Sequence, residues 1–252
     1  MELCLVQPPL NEIGSTTLEL LERFVDAAER ERPRAVLVYS GLAGGFCAGA
    51  DLRELYAAIS GRLPEEWRGD LAAFVDRVHS VMNRLDALPS TTVAAIHGVC
   101  FGGGFELALT FDVLIADASA RFCFPELRLG IIPGFGGIPR LSRDVPNAVV
   151  RDLILTGRSI GAKRAAALGV VSQFVSRGEA LAVARSTAQQ AVLFEPAAVA
   201  SAKAFMKPSL CDQLADEKRR FLELFERPQV VAALRSFVER GDNMPYLALP
   251  EA

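Results

Sequence analysis

Apolar positions in the first two thirds of the chain alternate between short continuous runs and stretches with helical spacing. Residues 2–6 form a short apolar run, broken by Pro8, Pro9 and Asn11. Thr16 and Glu19 then carry the spacing of a capping box, and Leu18, Leu21, Val25 and Ala28 share one helical face. Pro33 ends this helix ahead of a buried strand at residues 35–39 (AVLVY). Residues 41–50 (GLAGGFCAGA) read as a loop of small residues leading into helical residues 51–59. Residues 61–70 read as an exposed connection, after which Leu71, Phe74, Val75, Val78, Met82 and Leu85 predict a helix closed by Pro89. A second buried strand, residues 92–96, runs through His97 and Gly98 to Gly102-Gly103-Gly104 and a helical segment. Strands are expected at residues 113–116 and 121–124, and a sharp loop at 133–137 (PGFGG). From Val145 onward the pattern is helical apart from a candidate strand at 170–175, and residues 211–240 carry two amphipathic stretches broken near Pro228. Strands alternating with helices, followed by a helical tail, predict an α/β fold with a mostly parallel sheet.

Composition narrows the classes. With 252 residues, 51% of them apolar and 23% charged, the chain can bury a large core. A formal charge of -3 and the absence of any dense Lys/Arg run argue against a nucleic-acid surface. The first ten residues lack the basic start and long apolar run of a signal peptide, and no apolar stretch approaches the roughly 20 residues needed to cross a bilayer. The five cysteines, Cys4, Cys47, Cys100, Cys123 and Cys211, are odd in number and show no CxxC spacing. Neither a disulfide framework nor a zinc site is expected, most of the thiols read as small core residues, and the expected location is cytoplasmic.

Two glycine-bearing loops each follow a strand and open a helix: Phe46-Cys47-Ala48-Gly49-Ala50-Asp51 and Gly102-Gly103-Gly104-Phe105-Glu106. Should they meet, their free N–H groups would supply two donors for one developing oxyanion. The alternative is a pair of ordinary strand-to-helix turns. A phosphate cradle is disfavoured, since no Lys-Ser/Thr follows the glycines and no GxGxxG register exists. Glu106 and Glu126 are carboxylates set among apolar neighbours, a pairing suited to delivering and accepting a proton. Each also has a plain reading, as a helix-dipole complement and a solvated loop acid. His97 is expected to be packed and His79 to lie on the surface, and their spacing suggests no metal site. Arg140 and Arg143 read as structural ion-pair partners, and Trp67 and Tyr56 as packing residues with a possible place beside an apolar ligand.

In order and spacing these segments resemble the crotonase, or enoyl-CoA hydratase/isomerase, superfamily over nearly the whole chain. The similarity is carried by residues 46–52 (FCAGADL), by Ala95-Ile96-His97-Gly98 through residues 102–108 (GGGFELA), and by residues 122–127 (FCFPEL). It continues through residues 130–137 (GIIPGFGG), Arg140-Leu141, Leu155-Thr156-Gly157 and residues 165–171 (AAALGVV). The resemblance implies a ββα spiral core over residues 1–195 and a C-terminal helical trimerisation region over 196–252, assembled as a homotrimer or a dimer of trimers. It places an oxyanion hole at the N–H groups of Ala50 and Gly103, catalytic acids at Glu106 and Glu126, and substrate contacts at Ala48, Asp51, Gly102 and Phe135.

The implied reaction is hydration or dehydration of a 2-enoyl thioester, with CoA or pantetheine carried by the substrate and no resident cofactor. Enoyl isomerisation, decarboxylation or hydrolysis on the same scaffold are the alternatives, as is a non-catalytic scaffold protein. Three departures stand out. Ile138-Pro139 replaces a common Thr-Gln, Phe124 stands where some hydratases carry Gln, and residues 239–245 (ERGDNMP) lack a Lys-Arg cluster. The last of these raises an acyl carrier protein as the alternative thioester carrier. The acyl pocket is expected between residues 55 and 71 and around Phe135.

Overall fold

A computed structural model describes residues 1–240. The chain runs β1 (Glu2–Leu5), α1 (Ser15–Glu31), β2 (Ala35–Ser40), β3 (Gly45–Cys47), α2 (Leu52–Ile59), α3 (Pro64–Ala87), β4 (Thr91–Ile96), β5 (Val99–Phe101), α4 (Gly103–Ala108), β6 (Val113–Asp117) and β7 (Arg121–Cys123). A 3-10 turn (Glu126–Leu129) leads to α5 (Gly137–Asp144), α6 (Asn147–Thr156), β8 (Ile160–Gly161), α7 (Ala162–Ala167), β9 (Gln173–Val175), α8 (Ala180–Ala191), α9 (Pro196–Met206), α10 (Cys211–Phe225) and α11 (Pro228–Glu239). A larger sheet has strand order β1-β2-β4-β6-β9 and is parallel throughout. A smaller one, β3-β5-β7-β8, is parallel except at its β7–β8 edge.

The ββα spiral follows from this order. Three times, a strand of the larger sheet turns directly into a strand of the smaller one and then into a helix or 3-10 turn: β2–β3–α2, β4–β5–α4, and β6–β7–Glu126. Both faces of the larger sheet are covered, which is why β2 and β4 read as continuous apolar runs. Leu37, Val93, Ala95 and Ile115 face α8 through Ala180 and Ala184. Val36, Val38, Ala94, Ile96 and Leu114 enter the main core with Leu18, Leu21, Val25, Val75 and Leu85 from α1 and α3. From α10 and α11, Phe221, Phe225, Val230 and Leu234 join that same core. Among the described residues no helix is long and apolar enough to cross a membrane.

Four local expectations are corrected. Residues 41–50 are not all loop, because Gly45, Phe46 and Cys47 pair with β5. Three residues are too short a run to show alternation beside so many small neighbours. Residues 61–70 are exposed apart from Pro64 and Trp67 but are not all connection: α3 begins at Pro64, with the Leu63 N–H donating to Glu66 Oε2 at 2.7 Å, so the helix carries two further turns. Thr16 caps nothing. Gly14 is the N-cap of α1, and the Ser15 N–H donates instead to the Glu54 carboxylate on α2 at 3.0 and 3.1 Å. His79 is buried rather than on the surface, its Nε2 lying 2.8 Å from the Gly134 carbonyl oxygen.

The turns between the two sheets are tight. Gly98, joining β4 to β5, has φ +53°, and a Cβ there would stand 2.4 Å from the Gly44 oxygen and 2.8 Å from the Gly45 Cα. Neither is a side chain able to rotate away. Gly98→Ala is therefore expected to lower stability by about 3 kcal/mol, read as a lower urea midpoint at unchanged slope. A midpoint equal to the parent's would show that the two sheets can separate locally without cost.

Candidate active site

The two glycine loops meet. Ile13 bridges the first of them: its N–H donates to the Gly49 oxygen at 2.7 Å, and its oxygen accepts from the Asp51 N–H at 3.1 Å. In that parallel pattern the N–H of Ala50, between the two bonded groups, points the other way. Gly103 is the first residue of α4, where an N–H has no intrahelical acceptor. Neither N–H donates to another group among the described residues. Their closeness shows in what a side chain would meet. A Cβ on Gly49 would lie 3.2 Å from the Gly103 nitrogen, and one on Gly103 would lie 3.3 Å from the Ala50 nitrogen.

Glu106 reaches the same place from α4. Its Oε1 accepts from the N–H groups of Phe135 and Gly137, each at 2.8 Å. Burial outweighs those bonds and raises its pKa to about 7. Glu126 opens the 3-10 turn after β7, and its Oε1 would lie 2.6 Å from a Cβ on Gly102. The other oxygen, Oε2, is buried with no hydrogen-bond partner among the described residues. Burial first, then repulsion from Glu106 and Glu217, raises its pKa well above the usual carboxylate range.

Both acids line a cavity of about 40 Å³ together with Ala48, Ala50, Gly102, Gly103 and Phe135, and Phe221 and Phe225 of α10 also line it. Leu55 also borders a larger hollow of about 340 Å³, which α2 and α3 line with Ile59, Trp67, Leu71 and Phe74. The Phe74 and Phe135 rings meet edge to face at 6.2 Å. Phe124 does not border the cavity: its ring stacks on Phe105 at 4.6 Å and is buried.

Other candidates have structural roles here. Asp51 caps α2 through Oδ1, which accepts from the Arg53 and Glu54 N–H groups at 3.0 and 2.9 Å, and it borders the larger hollow rather than the cavity. Arg140 is fully buried and donates to the Phe135 oxygen and to Asn83 Oδ1, while Arg143 pairs with Asp86 at 2.8 Å. His97 holds the Leu42 oxygen through Nε2 at 2.8 Å. Tyr56 packs on the core and does not border the larger hollow. Cys47 is no nucleophile in this setting, since burial pushes its thiol up to about 12. The residue missed by sequence reasoning is Glu217. It falls on the buried stripe Leu214-Glu217-Phe221-Phe225 of α10, and a charge on such a stripe was the available signal.

The acids weaken the fold that holds them. Glu106, Glu126 and Glu217 all hold their protons more tightly folded than unfolded. Stability from this source is complete below the unfolded value of 4.5 and is lost as pH rises, for Glu106 through about 7. Glu126→Gln is thus expected to raise Tm by about 3 °C at alkaline pH, with no gain where the unfolded acid is protonated. Melting curves across that pH range check it; a gain independent of pH would sink the assignment.

Comparison with known proteins fits this geometry. The sequence profile described as enoyl-CoA hydratase/isomerase matches residues 2–244. The carnitinyl-CoA dehydratase of Escherichia coli is 35% identical over 204 residues, covering 81% of this chain and 75% of that protein. An enoyl-CoA hydratase from Bacillus anthracis superposes with a TM-score of 0.73 at 29% identity, over 95% of this chain and 93% of the other. An enoyl-CoA hydratase from Bacillus halodurans shares the fold, with a TM-score of 0.83 at 21% identity over 93% and 96% of the two chains.

Proposed function

Since the chain belongs to the enoyl-CoA hydratase/isomerase family, we propose that it is a lyase that adds water to, and removes it from, a 2-enoyl thioester. The observation that carries this is the convergence of two N–H groups, Ala50 and Gly103, which have no acceptor among the described residues, on a cavity lined by two buried acids. The N–H pair would hold the thioester oxygen and stabilise the enolate formed on it. Water would then give OH to Cβ and a proton to one carboxylate, while the other carboxylic acid gives a proton to Cα. The step is balanced if Glu106 and Glu126 hold one proton between them, and the cycle closes when that proton passes back from the acid that received it to the one that gave it. Their mutual repulsion in a buried site favours that state.

Ala48, Gly102 and Phe135 would shape the space around the reacting carbons. The acyl tail would enter the hollow between α2 and α3, where Trp67 and Phe74 offer ring surface. CoA or pantetheine would arrive as part of the substrate. The relatives' names specify CoA; the argument for a carrier protein lies in residues 239–245, which from residue 241 on are outside the described residues. Assembly as a homotrimer or dimer of trimers is part of the same reading. Leu193, Phe194, Phe205 and Met206, at and beside α9, are exposed apolar side chains in need of cover.

The test is a panel of 2-enoyl, 3-hydroxyacyl, 3-enoyl and β-carboxyacyl thioesters, on CoA and on carrier protein, with product mass followed over time. Gain or loss of one water by the first two is expected. A mass-neutral shift of the 3-enoyl compound alone, or release of carbon dioxide, would replace this reading with isomerisation or decarboxylation.

A further inference from the structure

Four consecutive amides in the loop that enters α5 are divided between two buried carboxylates from different helices. Phe135 and Gly137 donate to Glu106 Oε1, each at 2.8 Å. Gly136 donates to Glu217 Oε2 at 2.6 Å, and Ile138 donates to Glu217 Oε1 at 2.8 Å. Residues 135–138 therefore form a thin partition with one acid held by the odd-numbered amides and the other by the even-numbered ones. Gly136 adopts φ +99°, and a Cβ there would lie 2.0 Å from Arg140 Nη1, so the loop has little room to relax.

Glu217 also shares a helical face with the rings that line the cavity, because residues 217, 221 and 225 are spaced at four-residue intervals on α10. One helix thus presents an anchor for the loop and aromatic cover for the site. We propose that Glu217 is a positioning residue: by holding Gly136 and Ile138 it fixes the Phe135 and Gly137 amides on Glu106, and the two acids share one loop across which the charge of Glu106 acts on Glu217. The kinetic part of this rests on the acid/base reading of Glu106, while the structural part stands without it.

Electrostatics supports the coupling. After burial, the largest influence on Glu217 is repulsion by Glu106, and both acids raise the proton affinity of Glu126. The other groups facing this cluster are Arg140 and Arg143 from α5, and Asp86 and His79 from α3. Asp216 and Arg220, on α10 itself, border the hollow that Glu217 also lines. Arg140 is the cation acting on both Glu106 and Glu217, and a single cation cannot neutralise two carboxylates.

Glu217→Gln keeps the volume, cannot ionise, and leaves only one acceptor oxygen for two donors. It is expected to lower kcat about 10²-fold with KM little changed. The pH limb that depends on Glu106 should also move up by about one unit, because the Phe135 and Gly137 amides that hold its proton affinity down are no longer fixed. Glu217→Asp keeps two acceptor oxygens on a shorter arm, so the rate should fall and the limb should move the same way, each by less. A loss of rate with the Glu217→Gln limb unmoved would overturn the positioning of Glu106 and leave a purely structural residue. The parent protein supplies a readout independent of activity and of variant folding: the amide shifts of residues 135–138 followed by NMR through a pH titration. All four are expected to register the same two inflections. Indifference of the Phe135 and Gly137 signals to the titration seen at Gly136 and Ile138 would overturn the proposal, even if the protein converts no acyl thioester.

Discussion

Glu106→Gln and Glu126→Gln are each expected to lower kcat for water addition by about 10²–10⁴-fold, and the double variant to be little worse than either. Glu106→Gln is a clean substitution, because a Gln Oε1 can still accept from Phe135 and Gly137 and so leave the loop in place. What it removes is the ability to carry a proton near neutrality, where the parent's value of about 7 places it. Glu126→Gln removes the partner whose Oε2 has no donor or acceptor among the described residues. A carboxylate relay in which one acid gives as the other takes fails when either is fixed, hence the expected non-additivity. Steady-state rates of both single variants and the double variant, with product mass checked, decide this. A Glu106→Gln variant with parental rate would remove Glu106 from the acid/base pair. Retention of a mass-neutral double-bond shift would move the chemistry toward isomerisation.

The parts of this architecture visible in the sequence are those enforced by long periodic patterns. The strands at 35–40 and 91–96 are apolar on both faces and bounded by Pro33 and Pro89, so burial declares them. The smaller sheet was harder to see, since β3 and β5 are three residues each and are dominated by contacts from distant parts of the chain. Apolar spacing alone starts α3 at Leu71, two turns late, because its first residues, PEEWRGD, are largely charged and contain a glycine. Only Trp67 there faces inward strongly, packing edge on against Phe225 at 6.0 Å.

Site legibility divides in the same way. Ala50, Gly103, Glu106 and Glu126 sit where strand-to-helix junctions force them, and such junctions can be read from glycine spacing. That the two loops touch, and that Glu126 leaves an oxygen unpaired, are facts of the spiral stacking three ββα units, which no local window contains. Glu217 lies more than 100 residues along the chain from Glu106 and meets the site only because α10 folds back over it. Its position on an apolar stripe was a hint at burial but carried no information about what it would hold.

Gly103→Ala provides the sharpest separation of fold from chemistry. In the first turn of a helix this exchange is ordinarily neutral or stabilising, and no positive φ forbids it at this position. The new methyl group would come within 2.9 Å of the Phe135 ring, whose edge can shift, and 3.3 Å from the Ala50 nitrogen. That second contact matters more. A thioester oxygen shared by the two N–H groups has to approach both nitrogens, and the methyl group would crowd the approach to Ala50. The variant is expected to melt within a few degrees of the parent while kcat/KM falls about 10²–10³-fold, the range typical for losing one oxyanion donor. Gly49→Ala serves as the contrast, because φ +107° and a 3.0 Å contact with the Phe101 oxygen should cost stability as well as rate. Melting and turnover measured on the same samples separate the two effects. A Gly103→Ala enzyme with parental kcat/KM would show that the carbonyl is not held between these loops, and the chemistry would have to be sought elsewhere along the cavity.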